Sequence, residues 1–481
     1  MKDRAARGTV YSPVTERVAA DLKDILGPSG VTVDSEKCAA YSADETLPWF
    51  ERDYPAEAVC FPQTTEQVSS LMSYANRNMI PVTPRGAGTG LSGGAVPALG
   101  GIVLSMERMN RIIEVDEINR TLTAEPGVIT AEITKAAREH GMLYAGDPCS
   151  GDISFIGGNV AENAGGNKVI KYGATGAHVL GLEVVLPDGR VTAFGGKRRK
   201  DVTGYDFIRL IVGSEGTLAV VTKIILNLLP LPKCVMDLLA PMPDIESAVR
   251  LASLVATKSG VMPSSIEFMD RQSILNVEKF TGIEIPFSAS AAAYLIIQVD
   301  GMEHEQLWRD AHRVGDVCVE CGALEVFVGD DRNARDRIWE IRHLVAEEEW
   351  TISMPLLSKE DIVIPCGAIP AFMDELPGLA ERHRASYNAY GHIGDGNIHM
   401  TVFPAEEDGR SDLFARADAM RLDLYHIVRR LGGALSGEHG IGLKRAKYSP
   451  IFLGETCVDL IKNIKRAFDP NHILNPGKII P

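Results

Sequence analysis

The 481-residue sequence lacks the features of nucleic-acid-binding, membrane-spanning and disulfide-stabilised proteins. Its 49 Lys and Arg residues stand against 64 Asp and Glu residues, and the resulting charge of −15 opposes binding to nucleic acid or anionic lipid. The longest apolar stretch, 291–299, is far shorter than the ~18 residues of a membrane span. The eight cysteines are scattered and form no zinc or iron–sulfur ligand set, which is typical of a cytosolic protein. We therefore expect no transmembrane segment, and any attachment to a membrane would depend on partner subunits.

Hydrophobic residues at 45% and charged residues at 23% predict a chain that folds throughout, with two or three domains. Glycine is concentrated in three places, at 84–101, at 146–176 and at 213–216, with helices and strands between them. After Pro230-Leu-Pro232 glycine becomes sparse, and helices alternate with strands in a way that favours helices on one face of an antiparallel sheet. The expected fold class is α+β, with a first domain at 1–233, a second at 234–430 and a tail, 431–481, that returns to the first.

The first glycine loop, Gly88-Thr-Gly90-Leu-Ser-Gly93, fits the three-glycine dinucleotide pattern, which is a weak signal when it stands alone. A Rossmann loop leads directly into a helix, whereas Pro97 and Gly100-Gly101 interrupt the chain here. The loop can still turn its backbone N–H groups toward a pyrophosphate. A turn-rich surface loop is the alternative interpretation.

A histidine hairpin is the strongest local signal. In His392-Ile-Gly-Asp395-Gly396-Asn-Ile-His399, the Asp-Gly pair favours a two-residue type I′ turn, which places His392 opposite His399. Opposed residues have Cβ atoms about 4.5–5.5 Å apart, so both imidazoles can hold one metal ion. The alternative is a pair of structural histidines.

A second polar pair, Glu438-His439, lies between glycines in a loop that no helix or strand period explains. Adjacent side chains tend to point apart, so one of them can bind a metal while the other faces a substrate. Without the hairpin, an ordinary surface loop would be the simpler interpretation.

The glycine-rich segments at 157–166, 200–206 and 212–217 complete a set whose order and spacing resemble the FAD domain of the vanillyl-alcohol oxidase and p-cresol methylhydroxylase superfamily. From about residue 40 to 479 the chain resembles the D-2-hydroxy-acid dehydrogenases, which are FAD-linked D-lactate dehydrogenase, the glycolate oxidase flavin subunit and D-2-hydroxyglutarate dehydrogenase. The resemblance implies a two-part FAD-binding domain of the p-cresol methylhydroxylase type and an α+β cap with an antiparallel sheet. It also implies flavin contacts at Pro84, Arg85, Gly86, Ala87, Gly88, Thr89, Gly90, Pro148, Gly157, Gly158, Asn163, Gly166, Glu215 and Asn475.

The resemblance also implies catalytic roles. Matching positions make His392, His399 and Glu438 the metal ligands and His439 the general base. Arg342 and Lys359 match the residues that bind the substrate carboxylate, although Arg342 lies among acidic helix residues and could simply be solvated. Because no histidine accompanies Thr89, the FAD is expected to be noncovalent.

The predicted activity is metal-assisted oxidation of a D-2-hydroxy acid, with hydride transfer to the flavin. D-Lactate is the preferred substrate, and glycolate and D-2-hydroxyglutarate are the alternatives. The metal is expected to be zinc, with iron(II) or manganese as alternatives. The electron acceptor would be a quinone, an electron-transfer flavoprotein or an iron–sulfur subunit. The competing interpretations are a metal-dependent hydrolase and a flavin subunit without catalysis.

Overall fold

The computed structural model describes residues 5–6, 9–46, 53–346, 356–404 and 410–481. The chain divides into two compact units. Unit 1 consists of Met1–Gly165, Gly173–Leu231 and Glu438–Pro481, and unit 2 consists of Gly166–Tyr172 and Pro232–Gly437.

Unit 1 contains a four-stranded sheet ordered Val31–Thr32, Ala58–Cys60, Ile102–Ser105 and Val82–Arg85. The last three strands are parallel to one another, and the first is antiparallel to its neighbour. The helix Thr65–Arg77 begins where the Thr64 side chain accepts the N–H of Gln67, and it buries Val68, Leu71, Met72 and Ala75 against this sheet. The tail also belongs here, because Val82 donates its N–H to Ile473 and accepts the N–H of Asn475.

The second sheet of unit 1 is antiparallel and has five strands, in the order Val191–Gly195, Val179–Val185, Val220–Asn227, Thr121–Ala124 and Ile112–Asp116. Buried and partly exposed residues alternate strictly along Val220–Asn227, as a half-covered strand requires. Shorter strand pairs are Ala5–Ala6 with Thr9–Val10 and Met142–Leu143 with Leu229–Pro230. The helices of unit 1 are Glu16–Leu26, Ser35–Ala40, Thr65–Arg77, Thr130–Glu139, Ile156–Glu162, Thr175–His178, Phe207–Ile211 and Ser449–Phe468, with 3₁₀ turns at Pro28–Gly30 and Ala446–Tyr448.

Unit 2 is built on a seven-stranded antiparallel sheet. Its order is Phe327–Gly329, Cys234–Met242, Ala293–Gly301, Ser265–Asp270, Ala385–Gly391, Asn397–Pro404 and Ser358–Val363. The helices are Val169–Tyr172, Ile245–Ser259, Arg271–Thr281, His304–Glu320, Arg332–Ala346, Ile369–Arg382 and Arg410–Arg430, with a 3₁₀ turn at Cys366–Ala368.

Helices cover both faces of this sheet, so the expectation that they lie on one face is wrong. Leu239 packs in a cluster with Ile338 of the helix Arg332–Ala346. The neighbouring Leu238, which points to the other face, lies beside Gly315 of the helix His304–Glu320. Coverage on both faces explains the unbroken apolar run 293–297 in the central strand.

Most predicted elements lie where the sequence places them, with small shifts. The sequence predicts strands at 80–82 and at 324–328, and the structure has strands at Val82–Arg85 and Phe327–Gly329. The sequence also predicts a long helix at about 332–350, and the structure has the helix Arg332–Ala346, with residues 347–350 outside the described part. Among the described residues, no helix combines the length and the apolar character that crossing a bilayer requires.

Candidate functional site

The glycine loops line one cavity in unit 1. It is lined by most of the predicted flavin contacts together with Glu438 and His439. The residues predicted from the sequence that line this cavity are Pro84, Arg85, Gly86, Ala87, Gly88, Thr89, Gly90, Pro148, Gly157, Gly158, Glu215, Glu438 and His439.

Several of these glycines are required by close packing and by backbone conformation. A Cβ on Gly157 would lie 2.5 Å from Cβ of Pro126. Gly88 has φ of +82°, where a side chain is strained. A Cβ on Gly158 would meet no atom within 4 Å, so it would occupy open space at the cavity wall. The wall therefore presents backbone amides instead of side chains, and this arrangement fits the pyrophosphate and flat ring system of FAD.

Three predicted flavin contacts do not line the cavity. Asn163 ends the helix Ile156–Glu162 in a left-handed conformation, and its Oδ1 accepts the N–H of Gly176 at 2.8 Å. Asn475 is buried and donates to the carbonyls of Gly94 at 3.0 Å and Glu215 at 2.8 Å. Gly166 belongs to unit 2. The two asparagines join the loops of unit 1 to one another.

The loop that carries Glu438 and His439 is anchored by Glu215. One carboxylate oxygen of Glu215 accepts the N–H of Ile441 at 2.8 Å, and the other accepts the N–H of Gly442 at 2.6 Å. The hydroxyl of Ser92 donates to the carbonyl of His439 at 2.7 Å. These bonds fix the backbone on both sides of Gly440.

Buried charges surround this loop. Burial raises the pKa of Glu215, although the N–H groups that it accepts act in the opposite direction. Burial and the charge of Glu215 together hold the pKa of Glu162 well above its usual range. Burial also lowers the pKa of Lys478 to about 8, against the attraction of Asp44 and the two glutamates.

The histidine hairpin of unit 2 has a register different from the predicted one. Tyr390, not His392, lies opposite His399, and the predicted two-residue turn is wrong. Both Asp395 and Asn397 donate their N–H groups to the carbonyl of His392, so the turn comprises residues 393–396. A type I′ turn needs positive φ at both central residues, and only Gly396 has it.

The two imidazoles nevertheless meet. Their ring centroids lie 5.2 Å apart and their planes are nearly perpendicular, at 89°. His392 and His399 are diagonal neighbours across the pair of strands instead of opposed residues. Two imidazole nitrogens at this spacing are a donor set that suits Zn²⁺ and also Fe²⁺ or Mn²⁺ when a carboxylate completes it.

Arg342 is buried and is not a solvated helix residue. It is 8% exposed, and its Nε donates to the carboxylate of Glu267 at 2.9 Å. Glu267 also lies 2.6 Å from Nδ1 of His392 through its other oxygen. Burial raises the pKa of Glu267, but the charges of His392 and Arg342 outweigh it and set the pKa at about 2.

Lys359 lies on the same sheet face as His399. Its strand pairs with the hairpin so that Lys359 faces Thr401 and Asp361 faces His399. Oδ1 of Asp361 is 3.6 Å from Nδ1 of His399 and accepts the side-chain amide of Asn397 at 2.7 Å. Its other oxygen accepts the hydroxyl of Ser436 and the N–H of the following glycine.

Glu267 and Asp361 contact predicted site residues but are absent from the set predicted from the sequence. Both are charged residues at fully buried positions of strands, where an ionised group is costly without partners. A carboxylate inside a predicted buried strand is the signal that could have identified them, but the sequence does not show their partners.

Two family models match the chain. The FAD binding domain matches residues 56–195, and the C-terminal domain of FAD linked oxidases matches residues 231–479. The glycolate oxidase subunit GlcD of Bacillus subtilis is 36% identical over 97% of both chains. A D-lactate dehydrogenase of Anaerostipes hadrus is 33% identical over 98% of both chains. A D-2-hydroxyglutarate dehydrogenase of Stutzerimonas stutzeri is 31% identical over 95% of this chain and 98% of its own.

Solved structures share the fold. p-Cresol methylhydroxylase with bound substrate superposes with a TM-score of 0.80 at 18% identity, covering 98% of this chain and 99% of its own. 4-Ethylphenol oxidase of Gulosibacter chungangensis has a TM-score of 0.77 at 20% identity, covering 96% of each chain. At such identities the likeness concerns the α+β fold alone.

Proposed function

The chain belongs to the FAD-linked oxidases and, within them, to the D-2-hydroxy-acid dehydrogenase family, and from that premise we propose that it oxidises D-lactate to pyruvate. Membership of this family makes the chain an oxidoreductase and removes the metal-dependent hydrolase from consideration. The observation that supports flavin-dependent oxidation is the cavity of unit 1, where the glycine loops and the Glu438-His439 pair line one space.

FAD would be held by the backbone amides of the glycine loops, noncovalently, because Thr89 occupies the stretch where some members of the superfamily have a tethering histidine. When bound, FAD supplies the acceptor for the hydride that leaves C2 of the substrate. Acid precipitation of the holoprotein should release the yellow colour into the supernatant, and colour retained in the pellet would contradict noncovalent binding.

The metal ion would be held by His392, His399 and Glu438. The hairpin supports this assignment through its two close imidazoles. Glu438 directly follows Gly437, whose N–H is hydrogen bonded to Asp361. When bound, the ion supplies positive charge that lowers the pKa of the substrate hydroxyl.

His439 would accept the proton of the substrate hydroxyl, and Arg342 and Lys359 would bind the carboxylate. Arg342 suits this role because its guanidinium is held in place by Glu267 and lies 5.0 Å from the ring centroid of Tyr390. A fixed guanidinium offers paired donors to a carboxylate. Electrons would then pass to a quinone, an electron-transfer flavoprotein or an iron–sulfur subunit.

Anaerobic reduction of the flavin tests the proposal. The holoprotein is mixed with D-lactate, L-lactate, glycolate and D-2-hydroxyglutarate, and bleaching of the flavin absorbance is followed in time. We expect the largest second-order rate constant with D-lactate and none with L-lactate. A larger constant with glycolate or D-2-hydroxyglutarate would reassign the substrate, and flavin that no hydroxy acid bleaches would indicate a flavin subunit without catalysis.

A further inference from the structure

Glu267 occupies a position where a carboxylate needs specific partners. It lies in the strand Ser265–Asp270 of unit 2, is 1% exposed, and is preceded and followed by buried apolar residues. Burying an ionised carboxylate is costly unless its oxygens are paired and hydrogen bonded. Glu267 meets this condition because its two oxygens contact two different basic side chains, His392 and Arg342.

The first partner is His392. Oε1 of Glu267 lies 2.6 Å from Nδ1 of the imidazole. A carboxylate accepts a proton and cannot donate one when ionised, so Nδ1 carries the hydrogen. The metal-binding lone pair of a neutral His392 is then on Nε2. Carboxylates that bind a histidine in this way fix its tautomer and orientation and make it a stronger metal ligand.

The second partner is Arg342. Oε2 of Glu267 accepts the Nε hydrogen at 2.9 Å, and Cζ lies 5.0 Å from the ring centroid of Tyr390. These two contacts define the plane and the direction of the guanidinium. The remaining donors of an arginine are on Nη1 and Nη2, the pair that suits a substrate carboxylate.

We propose that Glu267 is a positioning residue that orients both the metal-binding His392 and the carboxylate-binding Arg342. It would not touch the substrate or the flavin. This inference rests on the proposed function, because Glu267 can affect metal and substrate binding only if the metal binds His392 and the substrate carboxylate binds Arg342. The inference states that one buried carboxylate affects two separately measurable properties, the affinity for the metal and the affinity for the substrate.

Glu267→Gln tests the inference. Glutamine has the same size, but its amide cannot accept from His392 and Arg342 on both sides at once. We expect zinc to bind roughly 10–100-fold more weakly, the usual effect of losing such a carboxylate. We also expect KM for the hydroxy acid to rise at least about tenfold, the lower end of what a charge-assisted hydrogen bond contributes. Zinc affinity is measured by competition with a chromophoric chelator, and FAD content should not change.

Two variants serve as comparisons. Asp270→Asn alters another buried carboxylate at the end of the same strand, where it accepts the N–H of Ser273 and caps the next helix. It should leave zinc affinity and KM within twofold of wild type. Arg342→Met should raise KM while zinc affinity stays within twofold, because Glu267 still holds His392.

The outcomes separate the inference from the proposed function. Wild-type protein that binds no divalent metal would overturn the metal site itself. Wild-type protein that binds zinc, with Glu267→Gln binding it equally well or keeping its KM, would overturn the positioning role. If Glu267→Gln does not fold, Glu267→Asp replaces it. That carboxylate is one methylene shorter and cannot reach both partners, so either zinc affinity or KM must change, and two unchanged values would refute the inference.

Discussion

Gly440 lies directly after the proposed base, and an alanine there tests how the His439 loop is held. Gly440 has φ of +79°. A Cβ at this position would lie 2.0 Å from Oε2 of Glu162 and 3.2 Å from Oε1 of Glu215. The substitution therefore combines a backbone strain of about 1–2 kcal/mol with an overlap against two buried carboxylates.

The overlap cannot be relieved by sliding the loop alone. Glu215 accepts the N–H groups of Ile441 and Gly442, and Ser92 donates to the carbonyl of His439. Either Glu162 moves or these hydrogen bonds lengthen and His439 shifts. Since a displacement of about 1 Å in a reacting group can cost 10²-fold in rate, we expect flavin reduction to slow by about that factor.

Anaerobic stopped-flow measurement of flavin reduction provides the assay. Gly204→Ala is the matched control, because Gly204 has φ of +84° and a Cβ there would meet nothing within 4 Å. Gly204→Ala should lose thermal stability through a similar backbone strain, and it should reduce its flavin at the wild-type rate. A Gly440→Ala enzyme that reduces its flavin at the wild-type rate would refute the expectation that the His439 loop shifts and that Glu162 keeps its place.

Three other predictions concern metal, substrate and stability. His392→Ala should lose bound metal and turnover while keeping FAD, whereas His439→Ala should keep both metal and FAD and lose ~10²–10⁴-fold in rate; equal metal loss in both would contradict these roles. Arg342→Met should raise KM more than Arg342→Lys, because lysine keeps the charge but not the paired donors, and an unchanged KM would contradict carboxylate binding. Burial raises the pKa of Asp270 from 3.8 to about 6. The folded state thus holds this proton more tightly, and the contribution of Asp270 to the unfolding free energy, read as the difference between wild type and Asp270→Asn, should fall by about 3 kcal/mol as pH rises from about 4 to about 6. Urea unfolding of Asp270→Asn should lack this part of the pH dependence, while Asp244→Asn, at an exposed helix cap, should follow the wild-type pH dependence.

Local signals located the helices well. Thr64 and Gln67 match a capping box in the sequence, and the Thr64 side chain accepts the N–H of Gln67 at the start of the helix Thr65–Arg77. Caps and periodicity depend on residues within one turn of each other. The sequence contains all the information that such elements need.

The hairpin register could not be obtained in this way. Gly396 adopts positive φ, but a Cβ there would lie 2.2 Å from the carbonyl oxygen of Ile364, and Ile364 donates its N–H to Gly396 at 2.9 Å. This neighbouring strand end therefore helps to fix the wider turn, and it is distant in sequence. Asp-Gly favours a tight turn when only its flanking residues are considered, and here tertiary packing decided against it.

Glu267 and Glu215 show why the residues that hold the site in place were harder to predict than the motifs of the site itself. Glu267 acts on partners 75 and 125 residues away in the sequence, and Glu215 holds a loop 226 residues away. In unit 1 the loop is held by backbone N–H groups, so glycine substitutions should affect it most. In unit 2 the site residues are held through charged side chains, so substitutions that remove charge without changing size should affect it most. The contrast between Gly440→Ala and Glu267→Gln therefore measures two different ways of holding a catalytic group in place.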